Sequence, residues 1–294
     1  MQILWFPLTL FCAFSLATSD ALTKKALSSH CNEYLIAWLR LLLMLPPLVA
    51  MLLFVPIPSF GPAFLPTILT AIPLELAALL LYVKALKYSP LSLTVPFLAL
   101  TPVFLLLIPY LLLGERISLS GGIGIILIAA GSYTLNIQGS GEGILAPFRA
   151  ILREPGSRCM IGVALIYSFT STLGKKAITS SSPLFVVVLY PILLFLCLTP
   201  VAFWKGRHEL RTMEWQRIIK ATVLPALFSL METVAGFVAL SLTNVAYMIA
   251  VKRVSLLMGV MYGHFLFREQ GIRKRLFGGV LMVAGVSLIL IGGR

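Results

Sequence analysis

Leu22-Thr23-Lys24-Lys25-Ala26-Leu27 closes the first long apolar run of the chain, and Leu173-Gly174-Lys175-Lys176-Ala177-Ile178 closes another, 151 residues on. Further along, Ala85-Leu86 has its counterpart in Ala239-Leu240, at an offset of 154. The same offset pairs Glu115 with Glu269, Gly124 with Gly278 and Gly131 with Gly285. A near-constant offset held across five apolar segments reads as an internal duplication. Five is an odd number of crossings, so the second copy enters the membrane from the opposite side and the repeat is inverted. Secondary transporters use this arrangement, with substrate near the midplane between repeats.

Composition explains why the segments are crossings. Of 294 residues, 59% are apolar and 11% charged, against about 25% charged in a soluble domain. Apolar runs of about 20 residues match a hydrocarbon core about 30 Å thick. Lipid satisfies no free backbone group, so such runs must be helices or a closed barrel. A barrel strand alternates in polarity, and Leu41–Phe54 and Leu105–Leu113 do not. The expected spans are 3–22, 33–54, 64–86, 91–113, 118–137, 160–178, 184–204, 217–239, 245–267 and 274–291. The fold class is therefore all-α: a polytopic membrane protein of ten transmembrane helices in two inverted five-helix repeats. Residues 1–137 form the first repeat and 158–294 the second. Between them, 138–157 reads as a linker loop, with Gly139, Gly141, Gly143, Pro147 and Pro155.

The net charge is +13. The basic residues sit at helix ends and in short loops, as membrane topology requires, so no nucleic-acid partner is expected. Fifteen lie on one side, from Lys24 and Lys25 to Arg273, Lys274 and Arg275. Four lie on the other: Arg116, Lys175, Lys176 and Arg294. That bias puts both termini outside. Cys12, Cys159 and Cys197 read as apolar membrane residues and Cys31 as a loop thiol, with no metal-ligand spacing. Met1–Ala17 has no basic leader and reads as the first span. Trp5, Trp204 and Trp215 fit an interfacial belt. The sequence lacks HExxH, GxSxG and P-loop patterns. No enzyme, cofactor or resident metal is expected, and transport without a nucleotide site would run on gradients.

Ala85-Leu86-Lys87-Tyr88-Ser89, Leu100-Thr101-Pro102-Val103-Phe104 and Leu113-Gly114-Glu115-Arg116 follow one another in an ordered pattern. With Ala37-Trp38-Leu39-Arg40 and the closing Gly278–Ile289, they resemble the drug/metabolite transporter superfamily, the EamA-like permeases. The resemblance covers nearly the whole chain. It implies ten helices, inverted repeats, a central cavity and movement of small metabolites. It also implies both termini in the cytoplasm, opposite to the charge bias. Val251-Lys252-Arg253-Val254-Ser255 resembles the Lys-Arg pair with which the phosphate-translocator branch holds an anionic group. Arg40 finds no basic counterpart at Leu189-Tyr190-Pro191.

Charge inside a bilayer is costly and faces a cavity or another charge. Glu232 lies about ten residues before the turn at Ser241–Asn244, and Lys252 and Arg253 about ten after it. At about 1.5 Å per residue, all three sit near one depth. One acid cannot neutralise two bases, and neighbours on a helix point about 100° apart. One base therefore pairs with Glu232 while the other faces the cavity, where a guanidinium suits a carboxylate or phosphate. Glu75, beside Pro73, supplies a second acid: a proton or cation site, or a partner of Arg40. Arg40 itself either snorkels or lines the cavity. Tyr190 and Tyr247 offer hydroxyls to a substrate. Asp20 is spaced to pair with Lys24. Lys24, Lys25, Lys175 and Lys176 read as snorkelling, and Gly121-Gly122-Ile123-Gly124 as close helix packing.

The expectation is a monomeric secondary transporter in a bacterial cytoplasmic membrane. Its cargo would be a small anionic or zwitterionic metabolite, such as an amino acid or phosphorylated compound. Its other partners would be membrane lipid and a coupling proton. Two alternatives stand beside it: a proton-coupled exporter of cationic or aromatic compounds, and a non-transport membrane scaffold.

Overall fold

The computed structural model describes residues 4–27, 33–88, 95–137, 155–207, 215–267 and 272–292. They form ten helical spans and no strand. The spans are α1 (Trp5–Leu27), α2 (Glu33–Leu52), α3 (Phe64–Tyr88), α4 (95–113), α5 (Leu119–Ile137), α6 (Pro155–Thr179), α7 (Pro183–Gly206), α8 (Trp215–Leu242), α9 (245–267) and α10 (Ile272–Gly292). Six helices are long and apolar enough to cross a membrane unaided, and stretches in α4, α5 and α10 are shorter versions. Polar α6 stands apart. Its Ser157, Ser168, Thr170 and Thr172 are buried in protein, so lipid does not meet them. Cys31, the 138–154 part of the linker, and the side chains of Lys24, Lys25, Arg273, Lys274 and Arg275 lie outside the described residues.

Helix pairing reproduces the repeat. α1 packs on α8 and α3 on α6, while α5 runs along α10 and α2 meets α7. Exchanging the repeats maps the first two pairs onto each other and each of the last two onto itself. That is the signature of a pseudo-two-fold axis. The α5–α10 contact shows it atom by atom. A Cβ added to Gly124 would lie 2.6 Å from the Gly285 carbonyl oxygen, and one on Gly131 would lie 2.5 Å from that of Gly278. Each glycine thus backs onto the equivalent of the other, and the backbones meet at a distance no side chain permits. Within the Gly121–Gly124 run, Gly121 also lies against the Tyr247 ring, whereas Gly122 faces open space.

Two expected continuous spans are broken. α4 has three pieces: a 3₁₀ turn at Val95–Leu100, an α-helical turn at Thr101–Phe104, and Ile108–Leu113. Pro102 and Pro109 each sit at the start of an α-helical piece, where a missing N–H costs nothing. Gly114 ends α4 with φ 70°, the left-handed cap for which glycine is suited. α9 divides at Arg253 into Val245–Lys252 and Val254–Phe267. No proline lies there. The Arg253 N–H is shared between the carbonyls of Ile249 and Ala250 at 3.3 and 3.0 Å, tightening the turn.

A central cavity between the repeats

The breaks in α4 and α9 flank a cavity of about 450 Å³, within the range of small-molecule sites. Both repeats line it. The first contributes Arg40 from α2, Glu75 from α3 and Thr101 from α4. The second contributes Tyr167 and Thr170 from α6, Tyr190 from α7, Glu232 from α8, and Lys252, Arg253 and Ser255 from α9. Phe237, Met248 and Leu194 supply apolar wall.

The charges are not equivalent. Lys252 Nζ donates to Glu232 Oε1 in a direct ion pair. The other oxygen, Oε2, lies 3.5 Å from Thr233 Oγ1, and the thiol of buried Cys12 approaches Oε1 at 4.0 Å. Lys252 is thereby neutralised locally. Arg253 is not: its Nε is buried with no hydrogen-bond partner in the protein. Its electrostatic neighbours include Lys252 and the Tyr167 hydroxyl. Glu75 Oε2 accepts from the Tyr190 hydroxyl at 3.4 Å. No cation lies within ion-pair distance of Glu75 among the described residues. The pairing of Glu75 with Arg40 allowed by the sequence therefore does not form, and Arg40 faces the cavity instead of leaving for the surface. Asp20 is exposed, and Lys24, its expected partner, has no described side chain.

Two sequence readings change. Tyr247 turns away from the cavity. Its hydroxyl accepts from Ser118 N and shares a hydrogen bond with Ser118 Oγ, both at 3.1 Å, and so ties α9 to the start of α5. Tyr247 precedes cavity-lining Met248 and Ile249 by one and two residues, and at about 100° per residue it points away from both. Lys175 does not snorkel. Its Nζ donates to the carbonyls of Leu240 and Thr243, at 2.5 and 3.0 Å. These are end-of-helix carbonyls with no partner inside α8. Glu115 Oε2 accepts from Val245 N at 2.9 Å, and Asn244 Nδ2 donates to Arg116 O at 3.1 Å. The α8–α9 turn is thus fastened on the face where the described termini lie. Burial raises the Glu115 carboxyl above its ordinary value, opposed by the Val245 N–H and by Lys175.

Tyr167 and Thr101 escaped the sequence reading. Tyr167 is one of several tyrosines in apolar runs, and its proximity to Glu75 and Arg253 comes from the packing of α6 on α3 and α4. Thr101 was visible only as part of a motif.

The EamA-like transporter family matches residues 3–137 and again residues 155–291. The chain belongs to that family. Its two matches fall on the two five-helix halves, and by family this EamA-like protein is a membrane transporter. No curated protein matches the chain. One solved crystal structure of a protein superposes with a TM-score of 0.74. The likeness covers 99% of this chain and 98% of that one at 15% identity, and bears on the fold alone.

Proposed function

We propose that this protein is a secondary transporter of a small anionic or zwitterionic metabolite, and that Arg253 holds the acidic group. The observation that carries the reading is the division of labour between adjacent bases. Glu232 occupies Lys252, while Arg253, which also lines the cavity, keeps a buried Nε with no hydrogen-bond partner. A buried donor without a partner costs about 1–3 kcal/mol, more when charged. An oxyanion restores that energy and accepts from the planar fork in two places. Glu75 is the complementary group. A buried carboxylate needs a cation or a proton, so it suits a substrate amine or a coupling proton. Both repeats of one chain contribute to the cavity, in keeping with a monomeric transport unit.

The test is flux into proteoliposomes, with a panel of labelled amino acids, sugar phosphates and organic cations. Arg253→Ala should lower uptake of the acidic cargo by at least about a hundredfold, the equivalent of about 3 kcal/mol. Its thermal midpoint in detergent should stay near that of the native protein. Normal flux through the variant removes Arg253 from the site. Flux of cations alone, abolished by Glu75→Gln, favours the exporter reading, for which exposure of Glu75 to the cavity is the supporting observation. A folded protein that moves nothing in the panel favours the scaffold.

A further inference from the structure

Thr101 stands out among the threonines. In the spanning helices Thr9, Thr67, Thr172, Thr199, Thr222 and Thr233 each donate a side-chain hydrogen bond to the carbonyl four residues back. This is the usual resting place of a helical threonine hydroxyl. Thr101 has no such bond, and its Oγ1 is buried without any partner. The break in α4 explains the exception. Four residues back lies Phe97, inside the 3₁₀ turn Val95–Leu100, whose tighter winding removes the usual acceptor. The carbonyl of Thr101 is by contrast engaged: it accepts from Leu105 N at 3.1 Å, with Ser168 Oγ 3.2 Å away. The residue is held through its carbonyl with its hydroxyl unspent.

Only three buried side-chain polar atoms among the described residues lack a partner: Ser15 Oγ, Thr101 Oγ1 and Arg253 Nε. Thr101 and Arg253 both line the cavity, and Ser15 does not. Both stand at helix breaks, Thr101 where α4 changes from 3₁₀ to α-helix and Arg253 where α9 divides. These two spans occupy equivalent places in the two repeats. Broken helices in equivalent halves are where inverted-repeat transporters bind small charged solutes.

We propose that Thr101 is a specificity-determining residue of this transporter: its hydroxyl donates to the same substrate oxyanion that Arg253 engages, so the acidic group bridges the breaks of α4 and α9. The inference rests on the anionic-cargo reading and adds a donor from the opposite repeat. A hydroxyl adds direction to a charge. Arg253 alone attracts any oxyanion, whereas the pair selects one that presents oxygens to both breaks. Carboxylate and phosphate share that chemistry.

The experiment is thermal unfolding of the purified full-length protein in detergent, titrated with glutamate, malate, glycerol 3-phosphate and, as a cation, benzyltrimethylammonium. A ligand that binds the folded state raises the midpoint with occupancy. Four forms are compared: native, Thr101→Val, Thr101→Ser and Arg253→Lys. Thr101→Val keeps shape and removes the hydroxyl, and the unliganded midpoints show whether each variant folds. The expected result is that at least one acid stabilises the native protein. Thr101→Val should need at least about ten times more of it, and Thr101→Ser should restore the native response. Stabilisation by carboxylates or by the phosphate ester tells which oxyanion the bridge takes. If acids stabilise native and Thr101→Val protein at equal concentrations, the role of Thr101 is overturned and the anionic reading stands. If the cation alone stabilises, or nothing does, the anionic reading fails and this role fails with it.

Discussion

The two repeats share a scaffold and differ in their charges. At the offset of 154 residues, Glu232, Lys252 and Arg253 of the second repeat correspond to Ala78, Leu98 and Ala99 of the first, and Glu75 of the first corresponds to Ser229. The glycines of α5 and α10 occur in both halves, and so do the hydroxyls of Thr101 and Ser255. The first repeat therefore shows that this five-helix unit packs without an acid on its third helix at Ala78 or bases on its fourth. Charge in a bilayer is costly, and the fold does not need the second repeat to bear it. The shared glycines make the bundle, while the unshared charges face the cavity beside the shared hydroxyls of Thr101 and Ser255.

The first repeat can be written into the second at the ion pair. Lys252→Leu alone leaves the half-buried Glu232 without its cation. It should lower stability by about 1–3 kcal/mol, less than the roughly 3–5 kcal/mol of breaking a fully buried pair from one side. Adding Glu232→Ala gives both positions the residues of the first repeat. Replacing a whole buried pair by apolar groups is often close to neutral, so the double variant should regain most of the lost stability while its flux stays low. Urea or thermal unfolding in detergent, beside proteoliposome flux, reads both quantities. A double variant as unstable as the single one would make the pair part of the packing.

The shared part has its own test. Gly124→Ala should cost about 1–3 kcal/mol through overpacking, because the new methyl would meet the Gly285 carbonyl oxygen at 2.6 Å. Gly285→Ala should cost a similar amount, since its own Cβ would lie 2.5 Å from the Gly124 carbonyl oxygen. One contact is involved, so the two losses should not add. Gly131→Ala and Gly278→Ala form the symmetric second cycle. Unequal costs in the two cycles would show where the pseudo-symmetry of α5 and α10 ends.

Sequence carried the symmetry because the offset, the apolar runs and the glycines are local signals. It also carried the pairing of Glu232 with a base, because two helices joined by a tight turn fix relative depth. Arg40, Glu75 and Tyr190 could be named as candidates, but not brought together, because α2, α3 and α7 meet only in the folded bundle. Tyr247 was misplaced for a rotational reason: spacing gives depth along a helix, while the facing of one hydroxyl depends on the neighbour it finds, here Ser118. Lys175 was misread because a lysine at a helix end has two outlets, solvent and an adjacent helix terminus. Thr101 was hidden for a subtler reason. Its significance lies in a bond it fails to make, and that follows from the 3₁₀ winding of the preceding turn.

The smallest expected effect concerns Glu115, an acid that the offset repeats at Glu269. Glu115 accepts from Val245 N, the first residue of α9, whose cap residue Asn244 makes no side-chain cap bond. A carboxylate at a helix start is worth about 0.3–1 kcal/mol, and here it comes from another segment of the chain. Burial opposes it and raises the carboxyl above its ordinary value. The native protein then binds a proton more readily than the unfolded chain. The sign of the linkage follows: stability declines as pH climbs from the unfolded carboxyl value, about 4.3, through the higher native one. Glu115→Gln keeps an oxygen for Val245 N and cannot titrate. Relative to the native protein, the variant should gain stability from acid to neutral pH, with a difference below about 1 kcal/mol. Thermal midpoints of both proteins across that range measure it. A relative loss toward neutral pH would mean that the Val245 N–H and Lys175 outweigh burial, making Glu115 a charged cap like those at exposed helix starts.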